Sequence, residues 1–338
     1  MTFDTRAQTV EIAGTVFTLR DVGPSDCTAV LGLHRRVFGS TVDSAWFDWK
    51  YRDGGGEAVG LWQGNELVAH CGGTPRTVLH HGRPARDLQI GDVMVAPEWR
   101  GVLRRRGPFY HVSERLYSSR LGPGKDFFAA FGFPNERHLR LAVKMGLSWD
   151  SGPVEALSWS GTGALPRPGW SWRAETLAVD HPEFDRRVTH AWSAMQQEAG
   201  RYSMGVRDAA YLRWRFAMRP DQAYRFVQLR RPWQRLPCGV VVLGPTVAAP
   251  NYLQWLDWVG PLALLPMACT LARLEAARSG SAGLTTWASP AVALRLADTG
   301  VTQRSVAAVL GVPKASDMTE EQVQHLDWWL MAGDTDFL

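Results

Sequence analysis

Leu88, Ile90 and Met94 recur at every second place between Leu88 and Val95, with Asp92 in the same register. This predicts a strand with Leu88, Ile90, Asp92 and Met94 on one face and Val93 and Val95 on the other. Pro97 cannot donate to a ladder and stops it. From Pro108 the period lengthens: Phe109, Val112 and Leu116 recur at helical spacing, and Pro108 suits the first position of that helix. The same two periods lay out the rest of the first half. They predict a strand at 16–19, then a helix over 25–38 capped by Ser25, with Val30, Leu31, Leu33 and Val37 as its apolar stripe. Strands follow at 58–62 and 66–71 around the turn Gly64, Asn65, and a further one at 76–80 turns at 81–84. A short buried strand at 125–131 breaks at Gly132 to Asn135, and a helix from Glu136 to Met145 closes at Gly146. Far along the chain Thr319 and Gln322 stand at capping-box spacing before Val323, Leu326 and Leu330, which predicts one more helix. Asp334 and Asp336 beyond it read as solvated tail residues.

The pattern repeats. WFDWKY at 46–51 is answered by YLRWRF at 211–216, and LQIGD at 88–92 by LQWLD at 253–257; 43 residues separate Trp49 from Asp92 and also Trp214 from Asp257. Two separate matches at one spacing point to duplication. The copies part after the aspartate. Gly107 and Pro108 follow Asp92 by 15 and 16 residues, whereas Gly260 and Pro261 follow Asp257 by 3 and 4, so the second copy lacks the arginine-bearing turn. Between the copies lies SGTGALPRPGWSW at 160–172, which marks a boundary.

A chain of 338 residues, 45% hydrophobic, can bury two cores. A formal charge of +4 favours anionic ligands and is too small to argue for nucleic acid by itself. Cys27, Cys71, Cys238 and Cys269 show neither zinc nor disulfide-framework spacing, so no metal site is expected and a reduced, cytoplasmic setting fits. No apolar run approaches the roughly 20 residues that span a bilayer, and the first residues lack a signal-peptide pattern. Most of the 16 Trp are expected in cores. G-x-S-x-G and H-E-x-x-H are absent, and Gly122 to Lys125 lacks the spacing and hydroxyl of a phosphate loop.

Chemistry concentrates at the opening strand. Arg100, Arg104, Arg105 and Arg106 stand beside a helix N-terminus, where unpaired N–H groups and the helix dipole also favour anions. A solvated turn or a nonspecific nucleic-acid patch is the commoner fate of such a cluster; the strand before it and the helix after it favour a phosphate or pyrophosphate ligand. Arg104 to Phe109 resembles the Arg/Gln-x-x-Gly-x-Gly/Ala turn of the GNAT superfamily of acyl-CoA N-acyltransferases, with Gly107 in place and Phe109 where the family has a small residue. The strand, the Asn135-headed helix and the Gly146, Leu147 pair resemble that family's second cofactor segment. The tyrosine that many members carry four residues before the glycine is Ala142 here.

The resemblance implies an α+β fold: two GNAT-like domains, each a mixed, mostly antiparallel sheet flanked by helices. The first (1–155) would bind acetyl-CoA or another acyl-CoA, a linker (156–175) would follow, and the second (176–338) would be a degenerate copy without the phosphate-binding turn. Backbone groups of Val93 and Val95 and the segments at Arg100, Arg104, Arg105, Arg106, Gly107, Phe109 and Asn135 would contact the cofactor. The reaction implied is acyl transfer to a primary amine, on a small molecule or a peptide, by direct attack. Asp92 is the first candidate base, since desolvation on an apolar strand face raises a carboxylate's pKa. A structural hydrogen-bonding carboxylate is the equal alternative, and Asp257 at the matching place strengthens it. His111 and His138 are the further acid–base candidates, although a lone histidine on a helix is more often packed or solvated. Tyr110 and Cys71 are remoter substitutes for the absent acid. Two rivals remain: a tRNA-dependent aminoacyl transferase of related tandem fold, the only reading with a nucleic-acid partner, and a non-catalytic CoA-sensing module.

Overall fold

The computed structural model describes residues 7–100, 106–161, 171–246, 249–316 and 318–335. They form two compact units interleaved along the chain. The first comprises the residues up to Arg76, then Ala85–Gly152 and Leu310–Gln324; the second comprises Thr77–Pro84, Pro153–Val309 and the residues from His325. Each carries a mixed, mostly antiparallel sheet flanked by helices, around a hydrophobic core of its own.

In the first unit β1 (Gln8–Ile12) and β2 (Thr15–Asp21) pair through a two-residue turn in which Ala13 and Gly14 both have positive φ. That turn twists the way paired strands do. Helix α1 (Cys27–Phe38) follows a short 3-10 turn at Pro24–Asp26, so Ser25 is not its cap, and it ends at left-handed Gly39. Helix α2 (Ser44–Phe47) is capped by Asp43 and widens into a π-turn at Asp48–Asp53, the segment that holds DWKY. Strands β3 (Glu57–Gln63), β4 (Glu66–His80) and β5 (Arg83–Val95) continue the sheet. The two strands expected at 66–71 and 76–80 are thus one. The reason lies in Gly72 and Gly73, which suggest a break in one dimension but serve close packing in three: a Cβ on Gly72 would lie 2.6 Å from the Tyr51 hydroxyl, and one on Gly73 2.7 Å from Leu88 Cγ.

Helix α3 (Pro108–Arg120) starts with Gly107 as its cap residue and Pro108 in its first turn. Strand β6 (Ala130–Gly132) is shorter and later than the expected 125–131, because Gly122 and Gly124 bend the chain and only Leu121 and Phe127 bridge before it. It runs parallel to β5, Leu88 to Ile90 facing Ala130 to Gly132, and pairs at Gly132 with Gly311 in the end of β14 (Gln303–Pro313). Helix α4 (Glu136–Lys144) is headed by Asn135, whose side chain accepts from His138 N, and Gly146 closes it at φ 76°.

The second unit orders its strands as β7 (Ser148–Ser160, from Pro153), β13 (Gly283–Ala288), β12 (Tyr252–Val259), β11 (Gly239–Pro245), β10 (Arg225–Arg230) and β8 (Arg173–Thr176), and β9 (Ser203–Gly205) pairs with the Val78–His80 end of β4. Helices α5 (Phe184–Glu198), α7 (Leu265–Arg278) and α8 (Pro290–Leu296) supply residues to its core. Helix α6 (Ala209–Leu212), capped by Asp208, opens into a π-turn at Arg213–Ala217, as α2 does in the first unit. Residues 156–160 lie in β7, and most of the Gly- and Pro-rich stretch, with Asp336, lies outside the described residues.

Thr319 and Gln322 exchange the two capping hydrogen bonds, yet α9 spans only Glu320–Gln324. Asp327 turns left-handed, and Trp329 N and Leu330 O then bond to Ser203 and Ser289. Val323, Leu326 and Leu330 are buried all the same.

Asp334 is not a solvated residue. It is fully buried, accepts from Met331 N at 2.9 Å and shares the guanidinium of buried Arg207 with Asp257, whose Oδ1 lies 2.8 Å from Arg207 Nε. Arg215 donates to the carbonyls of Gly333 and Thr335. Burial and the second carboxylate push Asp257 up to about 6, against the pull of Arg207. A carboxyl with a raised pKa in the fold adds stability below its unfolded value near 3.8 and loses it as pH rises through 6. Arg207→Met, which leaves both carboxylates uncompensated, should therefore cost about 3–5 kcal/mol at pH 7.5 in urea unfolding. The penalty should be smaller near pH 4.5, where Asp257 takes up its proton.

Candidate active site

The site is built where β5 departs from regular geometry. Asp92 sits inside the strand at φ 49°, left-handed for a residue with a Cβ, and the two-face alternation expected from Leu88 to Met94 is interrupted there. An unusual backbone of this kind persists only where its surroundings over-determine it. Three neighbours do so. Lys50 Nζ lies 2.7 Å from Asp92 Oδ2, the Tyr51 hydroxyl donates to the same oxygen at 2.5 Å, and His70 Nδ1 lies 2.8 Å from the Asp92 carbonyl. Lys50 and His70 are almost wholly buried, and the ammonium lies over the rings of Trp46 and Tyr51 at 5.4 and 5.8 Å.

This pairing reverses the expected direction of the Asp92 pKa. Burial alone would raise it, but the Lys50 ammonium and the hydrogen bonds from Lys50 and Tyr51 outweigh burial and hold the carboxyl at about 2. Asp92 is an anion at neutral pH, neutralised from within the unit. His70 stays neutral because burial pushes it below the ordinary histidine range more strongly than Asp92 pulls it up.

Beyond Asp92 the strand end stays with β4 through Ala96 N to Val68 O at 2.8 Å, while the parallel ladder to β6 has stopped at Ile90 and Gly132. Val93 and Val95 are half-buried and pack with Phe109 and Tyr110 against the core of the unit. The Val95 carbonyl accepts from Arg100 Nε at 2.9 Å, and exposed Arg106 stacks over Tyr110 at 5.5 Å. Arg104 and Arg105 lie outside the described residues.

His111, in the first turn of α3, is half-buried and His138, in the first turn of α4, is exposed; both are shifted down by desolvation, His138 also by Arg137 and Arg100. Both are therefore neutral at pH 7. The structure brings Arg100 into the field of His138 and Arg106 beside Tyr110 and His111. Ala142 is buried at the family's tyrosine position, and Cys71 is a buried thiol pushed up to about 12, which makes it inert. Lys50, Tyr51 and His70 were missed from the sequence. The clue lay in the two similar hexamers: Lys50 and Arg215 occupy one position of WFDWKY and YLRWRF, each 42 residues before its aspartate.

No group of His, Cys, Asp and Glu among the described residues converges as metal ligands would, and no helix among them is long and apolar enough to cross a membrane.

Comparison with known proteins places this geometry. Residues 18–119, from β2 through most of α3, match the family model described as "Acetyltransferase (GNAT) domain", and so carry a GNAT acetyltransferase domain. Solved structures share the fold. A GCN5-related N-acetyltransferase from Kribbella flavida aligns with a TM-score of 0.59 at 19% identity, over 88% of this chain and 70% of its own. A protein of unknown function from Enterococcus faecalis, described as a probable N-acyltransferase, aligns at 0.66 and 13% over 91% and 74%. A GCN5-related N-acetyltransferase from Anabaena variabilis gives 0.58 and 15% over 88% and 72%. At these identities the likeness is one of fold. No curated protein matches the chain in sequence.

The ion pair has a measurable signature. A carboxyl with a depressed pKa in the fold contributes stability above its unfolded value near 3.8 and loses it as pH falls through about 2. Asp92→Asn should cost about 3–5 kcal/mol at pH 7, because it strands the Lys50 charge. In urea unfolding at a series of pH values the gap to wild type should narrow towards pH 2.

Proposed function

We propose that the chain is an acyl-CoA-dependent N-acyltransferase that moves an acetyl or longer acyl group from acyl-CoA to a primary amine, on a small molecule or a peptide, by direct attack. The observation that carries this reading is the parallel β5–β6 pair that stops at Ile90 and Gly132, after which Val93 and Val95 share a core with Phe109 and Tyr110 from the head of α3, β5 and α3 lying within a matched GNAT domain. The opening takes the pantetheine arm, with Val93 and Val95 offering backbone groups. The N-terminus of α3, Arg100 and Arg106 face the pyrophosphate, joined by Arg104, Arg105, Gly107 and the Phe109 amide. Asn135 caps α4, the helix that follows β6, and would offer the cofactor a contact there.

The ammonium form of the amine must lose a proton before it attacks. Neutral His111 and His138 are in the right protonation state to take it, whereas Asp92, held at about 2, acts as a fixed anion that shapes the strand. With Ala142 in place of a tyrosine, the departing thiolate takes its proton from water or Tyr110. The second unit is read as a degenerate copy of the first: short helix, π-turn, three strands with a buried aspartate on the third, and a parallel pair confined to Tyr252–Gln254 and Gly283–Thr285. It lacks the arginine turn and would support the first unit rather than bind cofactor.

A second reading, a CoA-binding module without transferase activity, draws on Ala142 and Phe109. Thermal unfolding with CoA, acetyl-CoA and medium and long acyl-CoAs separates the cases. Ligand at 100 times its dissociation constant should add about 2.7 kcal/mol and raise the midpoint, with the largest shift naming the donor. Arg100→Ala/Arg106→Ala should lose most of that shift. Binding without acylation of any amine in a broad panel would favour the module, and no shift with any acyl-CoA would remove both readings and leave the tRNA-dependent one.

A further inference from the structure

His70 makes a polar contact that burial alone does not call for. The ring is fully buried on β4, its Nδ1 meets the Asp92 carbonyl, and its Nε2 has no hydrogen-bond partner among the described residues. A carbonyl oxygen only accepts, so Nδ1 carries the proton and donates, which leaves Nε2 as a bare lone pair. A leucine or phenylalanine would fill this space with no orphaned nitrogen, so what the imidazole adds is the Nδ1 bond.

That bond falls on one particular peptide. Asp92 is where β5 turns left-handed, and a trans peptide points its C=O and the following N–H in opposite directions. With the Asp92 carbonyl held towards His70 on β4, the Val93 N–H faces away from β4, to the side where the ladder with β6 has already ended. Lys50 and Tyr51 anchor the carboxylate of the same residue. One side chain thereby holds the carbonyl of that peptide and two more hold the side chain of the residue it starts from.

We propose that His70 is a positioning residue of the transfer site: by holding the Asp92 carbonyl it aims the Val93 N–H at the thioester oxygen. This rests on the acyltransferase reading above. In the transfer the amine nitrogen bonds to the thioester carbon, the carbonyl oxygen takes up negative charge, and the C–S bond then breaks. The sulfur leaves as CoA thiolate and is protonated, and the proton shed by the nitrogen goes to base. A donor already aimed at the oxygen stabilises the charge as it develops, without reorganisation. His70 touches neither substrate nor cofactor.

Two polar substitutions separate this role from packing. His70→Asn places an amide N–H where Nδ1 stands, and His70→Gln places it near Nε2, out of reach of the Asp92 carbonyl. Both are assayed with acetyl-CoA and a panel of ethanolamine, tyramine, lysine and spermidine by thiol release, alongside acetyl-CoA affinity by calorimetry and thermal unfolding. The Gln variant should lose about 10²-fold in kcat, the order seen when one oxyanion donor is removed, with acetyl-CoA affinity within about threefold of wild type. The Asn variant should stay within about fivefold of wild-type kcat, rescued by its retained bond. Wild-type turnover together with an undiminished Gln variant, or with an Asn variant as impaired as Gln, would overturn the inference alone. Absence of transfer by wild type with every acyl-CoA would overturn the acyltransferase reading and this inference with it.

Discussion

The first unit depends on one buried ion pair, Lys50 with Asp92. Removing two charges from water costs several kcal/mol for each ion, and the cost is met only when the partners lie close and their remaining hydrogen-bonding capacity is used. Much of the local structure serves that condition. The π-turn after α2 sets Lys50 and Tyr51 one residue apart and delivers both to a single oxygen. Trp46 and Tyr51 give the ammonium aromatic faces, and Gly72 leaves room for the Tyr51 hydroxyl. The left-handed turn at Asp92 brings the carboxylate within reach and, through the same peptide, redirects the strand end that borders the opening beside β6.

The second unit meets the same constraint with a different balance of charge. Asp257 lies 43 residues after Trp214, as Asp92 lies after Trp49, but its cation is Arg207 rather than the residue matching Lys50. Arg215, which does match Lys50, instead holds backbone carbonyls at Gly333 and Thr335. Two carboxylates then share one guanidinium, and Asp257 rises where Asp92 falls. The two aspartates stand at one spacing from their hexamers and differ in charge environment: strand and burial are common to both, and the partner cation is not.

Much of the fold was legible because caps and periods are local. Asn135, Gly146 and the Thr319–Gln322 pair signal within a few residues and act as expected, and the alternation from Leu88 marks the central strand. The site was less legible. Lys50, Tyr51 and His70 reach Asp92 across 42, 41 and 22 residues, and pairings between distant side chains leave no periodic trace. Desolvation argued from the strand face alone gave Asp92 the wrong pKa direction, because the sign is set by a partner on another element. Asp334 was misread for a related reason: a polar run late in a chain looks solvated until Arg207 is seen.

The interleaving of the units bears on how the chain is made. Gly132 in β6 pairs with Gly311, a partner synthesised 179 residues later. Until that strand arrives, one side of β6 is an unpaired edge, the kind of surface that recruits other chains. Pairings of such wide sequence separation also slow folding, since the intervening loop must close before the contact repays it. The first unit is therefore first to leave the ribosome, yet it is complete only when Leu310–Gln324 have followed. A nascent chain stalled before residue 310 would carry most of the first unit with its sheet still open on one side.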